Sequence, residues 1–416
     1  MHLIDINDGG LTCTNDQGEV VYEQPSIAYF NGKSLLFGYE ALANVKSHPQ
    51  ACASQYMGRL SDETLASPLG EALNHADLIF HHLKKMIAAT STEDCAFLIP
   101  AYFSDEQLQL LLGVALAAGL TPCGFINSGL ARQTANNEPN FYLLDIGLRQ
   151  GQLSSVARTD TMLANTSTAN FDSLGLFSIV DTWLQEIANV FLDSIRFDPL
   201  HSATTEQQAF DQVLTWVEQG QLPQDARISV DIDGYSRSAE ININQLINQL
   251  SQQLDQLGLT DANHLVLTPR AAKIPMLVDL LESRTASVCV SNNPIYFEQA
   301  QKLAQSFVPG QVERLNAHPL LDFGSANTPP TASGNDLNSA DTTAEQVERG
   351  PATHLLGDSA ATAITNRSFE AFLDEDGLLR PNAQVLVNGQ PARQAKLKHS
   401  DQVSFAGNSW QAIRVE

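Results

Sequence analysis

The stretch FYLLDIGLRQGQLSSV, residues 141–156, constrains the fold more than any other part of the chain. Its first half is a short continuous apolar run, the pattern of a buried strand. Asp145 and Gly147 then open a tight turn that ends by Gly151, and a second strand leaves it. A carboxylate and a glycine at the end of an apolar strand can hold a metal ion and let backbone approach a phosphate closely. Two states of such a turn are open, a working phosphate turn and the remains of one.

The elements around it are mixed. LIDI, EVVYEQ and SIAYFNGKSLLFG read as strands joined by turns, with Asn31-Gly32 a hairpin signal. Residues 60–90 read as helical, CAFLIPAYF as a further strand, and SDEQLQLLLGVALAAGL as a helix N-capped by Ser104. After residue 160 the pattern becomes long helices (177–195 and 205–220), a strand pair (226–234 and 236–244), another helix, and HLVLTP with IPMLVDLLES. This alternation places the chain in the α/β class.

At 416 residues the chain exceeds the size at which one core stops growing, so two or more domains are expected. The boundary lies at 325–350, which lacks aromatics and is dominated by Ser, Thr, Asn, Asp, Ala, Gly and Pro. Such a segment cannot bury enough apolar surface to order itself and reads as a flexible linker. The expected division is a large domain over 1–326, a linker over 327–350 and a small domain over 351–416.

Charge narrows the partners. With 23 Lys plus Arg against 47 Asp plus Glu, the net charge is -24 and no basic run offsets it. Nucleic acid and anionic membrane surfaces are therefore excluded as expected partners, and protein partners remain. The segment MHLIDINDGG has no basic n-region and no long apolar stretch, so a cytoplasmic location is expected. Five scattered cysteines without a CxxC pair read as reduced core or boundary residues.

Two motifs are decoys. NGKS at 31–34 resembles the end of a P-loop, but Ile27 stands where the first glycine would be, and a hairpin fits better. HADLIFHH sets His75 and His82 seven residues apart with Asp77 and His81 nearby, and without an i, i+4 histidine pair it reads as a solvated or partly packed helix face.

The order of several landmarks resembles the ATPase domain of DnaK-type, seventy-kilodalton heat-shock chaperones, within the actin-like superfamily. Asp5 follows an apolar strand where the family has its first phosphate loop, and EQPSIAYFNGKSLLFGYEA is similar to its Pro-Ser strand and hairpin. IPAYFSDEQLQLLLGVALAAGL is similar to its VPAYF strand and following helix. INSGLARQ, DIGLRQG and HLVLTPRAAKIPMLVDLL follow at the positions of the NEPTAAA segment, the second phosphate loop and the adenosine loop. The resemblance covers residues 1–326 and implies a two-lobed actin-like (ribonuclease H-like) fold with lobes dividing near 157.

It also implies a nucleotide site, and there the sequence departs from the family. The first loop runs Asp5, Ile6, Asn7, Asp8, Gly9, Gly10 in place of Asp-x-Gly-Thr-Thr. The second keeps Asp145 and Gly147 but follows them with Leu148, Arg149 and Gln150, where the family's glycines allow positive φ. The family's NEP glutamate falls on Ser128, its adenosine-loop glycines on Pro269 and Arg270, and its adenine clamp on Glu218, Gln221 and Leu222, while Lys273, Ile274 and Pro275 continue the pattern. Carried over residue by residue, the resemblance implies ATP or ADP contacts from Asp8, Gly9, Gly10, Gly147, Arg149, Arg270 and Glu218, and magnesium or catalytic roles for Asp5 and Asp145. Losing three charge-assisted hydrogen bonds of roughly 1.5–3 kcal/mol each converts a tight nucleotide site into a weak or absent one.

Residues 351–416 read as short strands separated by Asn, Gly, Asp and Pro. VLVNGQPARQAKLKHSDQVSF looks like the closing hairpins of a forkhead-associated domain, without the GR motif of phosphothreonine readers, and Lys396, Lys398 and His399 read as solvated turn residues. A small all-β interaction module is expected. The expected function is therefore a chaperone-like scaffold with a degenerate nucleotide cleft. An active Mg-ATP ATPase of the same fold is the alternative, and a sugar or acid kinase of the superfamily a distant third. Three carboxylates converging beside an open Gly9-Gly10 turn would favour the ATPase; Leu148 or Arg149 filling the phosphate position would favour the scaffold.

Overall fold

The computed structural model describes residues 1–132, 140–158, 162–260, 263–308, 311–319, 354–356, 361–363, 385–387, 390–392, 402–405 and 408–413. The chain divides into two compact units, Met1–Gly324 and Ser325–Glu416. The segment 327–350 expected as a linker lies outside the described residues, as do Lys396, Lys398 and His399.

The first unit is built on two six-stranded mixed sheets. One contains β1 (His2–Asn7), β2 (Gly10–Thr14), β3 (Val20–Gln24), β4 (Asp94–Ile99) and β5 (Thr121–Asn127). The other contains β6 (Asn140–Ile146), β7 (Gly151–Arg158), β8 (Met162–Phe171), β9 (His264–Leu267) and β10 (Ser287–Val290). In each, an antiparallel meander of three strands is extended by two parallel strands beside its first, giving the orders β3-β2-β1-β4-β5 and β8-β7-β6-β9-β10. Edge strands Glu313–Leu315 and Ala317–Pro319 complete them beside β5 and β8.

The two first strands occupy equivalent central places, and both are apolar because helices cover their sheets. Leu3, Ile4 and Ile6 of β1 and Leu144 and Ile146 of β6 are buried. Asp5 pairs with Thr12 and Leu98, and Asp145 pairs with Gln152, one residue beyond the Leu144–Leu267 pair. Each carboxylate thus stands at the carboxyl end of a central strand, the usual position for a ligand crevice in α/β sheets.

The flanking helices are α1 (His75–Thr90), α2 (Asp105–Ala118), α3 (Leu176–Ile195), α4 (Ala203–Gln219), α5 (Ile243–Leu254) and α6 (Asn293–Ala304). Ser104 caps α2 as expected, in a reciprocal box with Gln107, and Gly119 ends it at φ 100°. Trp183 of α3 is fully buried and donates its indole N–H to Leu246 O at 3.0 Å, tying α3 to α5.

One sequence expectation is corrected here. Residues 60–74 are not helical: Thr64–Leu69 and Ala72–Asn74 pair around Gly70, whose φ is 63°, and the Asn74–Asp77 capping box starts the helix only at His75. The helices expected over 177–195 and 205–220 are found as α3 and α4, and MLANTSTANF before them forms β8. Its Thr, Ser and Asn residues are poor helix formers, and the β7 ladder satisfies its backbone. The NGKS segment is a hairpin turn between Ala28–Phe30 and Leu35–Phe37, with Gly32 at φ 87° and Asn31 Oδ1 accepting the N–H groups of Lys33 and Ser34.

In the second unit, the described residues form one antiparallel sheet. Its strands are His354–Leu356, Ala361–Ala363, Val385–Val387, Gln390–Ala392, Gln402–Phe405 and Asn408–Ile413. Among the described residues no helix is long and apolar enough to cross a membrane.

Candidate functional site

The turn between β1 and β2 is closed by its own side chain. Asn7 Oδ1 accepts the N–H groups of Gly9 (2.9 Å) and Gly10 (3.1 Å), and Asn7 Nδ2 donates to Asp5 Oδ1 at 2.8 Å. The two amides that could have formed a shifted phosphate nest are therefore occupied. The other oxygen of Asp5 accepts from the Tyr296 hydroxyl at 2.9 Å, with Arg132 Nη2 3.8 Å away. Arg132 stacks 3.7 Å over the Tyr296 ring and donates to Ser291 Oγ at 2.7 Å, so a buried carboxylate is matched by a buried guanidinium.

Asp145, before the turn from β6 to β7, is held from another direction. Thr268 Oγ1 donates to Asp145 Oδ1 at 2.7 Å, and Arg270 Nη2 donates to Oδ2 at 2.6 Å. Thr268 also N-caps the short helix Pro269–Ala272, and this geometry turns Arg270 back so that its Nε bonds Ile146 O at 3.0 Å. Burial pushes the Asp145 carboxyl up, but the Arg270 and Arg132 guanidiniums and the Thr268 hydroxyl outweigh it and hold the group below the usual aspartate range. Arg270 also lies directly on the first turn. A Cβ on Gly9 would stand 2.2 Å from the guanidinium carbon, so glycine is required there for close approach.

Asp8 joins the two turns. Its Oδ2 accepts the backbone N–H groups of Arg149 (2.7 Å) and Gln150 (3.1 Å), and Ser26 Oγ donates to its carbonyl oxygen. Burial raises the Asp8 carboxyl above its usual range despite these bonds and the nearby Arg270 and Arg149 charges. A Cβ on Gly147 would lie 2.4 Å from Asp8 Oδ2. This corrects the sequence expectation about the second turn, since positive φ is found at neither Gly147 nor Leu148, Arg149 or Gln150. Gly147 is needed for room, and Leu148 is buried in the core without strain.

The remaining expected residues divide between two clefts. Asp5, Gly9, Gly10, Arg270, Lys273 and Glu218 line one of about 280 Å³, with Glu218 exposed at the end of α4. Arg149 lines a second, polar cleft of about 720 Å³ with Arg59, Asp172, Asp181 and Glu186. The Arg149 guanidinium donates from Nε to Ser54 Oγ at 2.6 Å and lies 4.9 Å from the Phe177 ring centroid, so it does not line the cleft that holds Gly9 and Gly10. Ser128 opens the short helix Ser128–Ala131, N-capped by Asn127. Sequence reasoning missed Asn7, Arg132, Thr268 and Tyr296. The available signal was Arg132 itself, a rare cation within an otherwise apolar segment of an acidic chain.

The groups that would contact a magnesium–nucleotide complex are engaged by the protein itself. Asp5 and Asp145 each give both carboxylate oxygens to protein donors, and Asp8 fills the amide pair of the second turn. Among the described residues no group of three or more His, Cys, Asp or Glu is arranged to hold a metal ion. The histidine pattern of α1 is the partly packed face expected: His75, Asp77 and His81 are half-buried, while His82 is fully buried, stacks on Phe37 and bonds Tyr56 through Nδ1 at 2.9 Å. Burial, with Lys85 nearby, brings the His82 pKa down to about 3, so it is neutral near pH 7. No protein-family model and no curated protein matches the chain.

Proposed function

We propose that this protein is a divergent DnaK-type chaperone-like scaffold of the actin-like superfamily, a pseudo-ATPase that acts through protein–protein contacts. Support for the fold assignment comes from the repeated strand order of the two sheets and from Asp5 and Asp145 standing at equivalent strand ends. The observation that carries the functional assignment is Arg270, which bonds Asp145 and covers Gly9 with the same guanidinium. A phosphate entering there would meet a cation already neutralised and a turn whose amides are already bonded.

An active Mg-ATP ATPase is the second reading. It is favoured by Glu218 and Lys273, which line the same cleft as Asp5 and Arg270. Isothermal titration with ADP and with ATP plus magnesium separates the two, run on the wild type and on Asp145→Ala. Absence of heat at millimolar nucleotide is the expected result. Micromolar binding that disappears in Asp145→Ala would overturn the pseudo-ATPase reading in favour of the ATPase. The net charge of -24 supports protein rather than nucleic-acid partners, in a cytoplasmic setting.

A further inference from the structure

We propose that the second turn is an intact oxyanion nest and that Asp8 is its built-in ligand, making Asp8 the residue that excludes external phosphate. The inference rests on the pseudo-ATPase reading and names the group responsible for it.

Two successive backbone N–H groups, those of Arg149 and Gln150, converge on the single oxygen Asp8 Oδ2. Such a pair is the donor arrangement that binds anions in backbone nests. The arrangement is set up from both sides. Gly147 leaves the space through which the carboxylate enters, since any Cβ there would stand 2.4 Å from Oδ2. Ser26 fixes the Asp8 backbone by donating to its carbonyl oxygen, and Asn7 pins the adjoining Gly9 and Gly10 amides. The Gly147 N–H donates to Gln150 O at 2.9 Å, so the second turn also has a bond of its own that does not involve Asp8. Asp8 itself is only 5% exposed, so its carboxylate depends on these two amides for its hydrogen bonds.

The nest is not sealed inside the core. Asp8, Arg149 and Gln150 all line the cleft of about 720 Å³, where Arg59 also stands. Arg59 has no side-chain hydrogen bond or ion pair among the described residues. If the Asp8 carboxylate is removed, a tetrahedral oxyanion can reach the two amides from this cleft with two guanidiniums nearby. The ligand class is an inorganic phosphate or a terminal phosphate group. The same nest in the wild type accepts no external anion, because an intramolecular carboxylate occupies it at high effective concentration.

The test compares the full-length wild type with Asp8→Ala and Asp8→Asn, using inorganic phosphate as the probe in isothermal titration and thermal unfolding. Asp8→Ala vacates the nest, whereas Asp8→Asn keeps an amide oxygen in place. Phosphate is expected to bind Asp8→Ala in the millimolar range and to raise its Tm, while leaving wild type and Asp8→Asn unchanged. Asp8→Ser, which removes the charge but keeps a hydroxyl, serves as the second vacating variant if Asp8→Ala does not fold. A folded vacating variant that binds no phosphate overturns the Asp8 assignment and leaves the pseudo-ATPase reading standing. Phosphate or nucleotide binding to the wild type itself overturns that reading instead.

Discussion

The β1–β2 and β6–β7 turns occupy the same topological slot in two sheets of the same strand order, yet they satisfy their backbone amides in different ways. The first turn satisfies its amides from within: Asn7 caps its glycine N–H groups and braces one oxygen of Asp5, while the other oxygen takes Tyr296. The second imports its partners, taking Asp8 from the first turn and Arg270 and Thr268 from the segment after β9. One hairpin exports a carboxylate and the other receives it. Equivalent strand ends can thus serve either as separate phosphate grips or as two halves of one internal clasp, depending on a few side chains.

The clasp predicts an ordered set of mutational effects. The largest belongs to Asp145→Ala, which strands the Arg270 guanidinium. Removing one member of a buried pair costs about 3–5 kcal/mol, and because both side chains here keep some exposure the expected loss is about 3 kcal/mol by urea unfolding. A loss near zero would show that the second turn does not depend on its imported partners.

Gly147→Ala should come next, at about 2 kcal/mol, because the new methyl expels Asp8 from the nest and leaves two amides unpaired. Gly9→Ala is its counterpart in the first turn. The obstacle there is the Arg270 guanidinium, whose bonds to Asp145 and Ile146 O must yield, but the Gly9 and Gly10 amides keep Asn7 as partner, so the expected cost is smaller, about 1 kcal/mol. Equal costs at the two glycines would contradict the difference between a turn that receives a group and one that is merely covered.

Tyr296→Phe removes one charge-assisted hydrogen bond from Asp5 while Asn7 and Arg132 remain, and about 1 kcal/mol is expected. A cost equal to that of Asp145→Ala would mean that the first carboxylate is no better supported than the second.

The smallest effect is a difference in pH dependence, and its sign separates the two carboxylates. Asp145 is held below the usual value of 3.8, so its contribution is present above that pH and is lost as pH falls through its folded-state value. Asp8 is raised above 3.8, so its contribution is full below that pH and is lost as pH rises through its folded-state value. The deficit of Asp145→Asn relative to wild type should therefore grow with pH across the acid range, and that of Asp8→Asn should shrink. Parallel profiles in chemical denaturation would refute the opposed environments of the two groups.

Local signals in the sequence specified the strands that end in Asp5 and Asp145, the Ser104 cap and the Asn31-Gly32 hairpin. Apolar runs ending in Asp5 and Asp145 became central strands because only a covered sheet can bury LIDI and FYLLDI while leaving a carboxylate at the rim. Ser104 and Asn31-Gly32 fixed a helix start and a hairpin through bonds to residues two or three positions away, which a linear reading can follow. The helix expected from residue 60 failed because the competing hairpin is stabilised by the pairing of Thr64 with Asn74 and of Leu69 with Ala72, which periodicity does not encode. The state of the site was decided only in three dimensions. Asp8 meets Arg149, Asp145 meets Arg270 and Asp5 meets Tyr296 across separations of 141, 125 and 291 residues. Whether a carboxylate at a strand end stays open to a ligand or is consumed by the chain depends on which distant donors the fold delivers within hydrogen-bonding distance. That outcome is set by packing, since a buried charge must find a partner and takes the one the tertiary structure supplies.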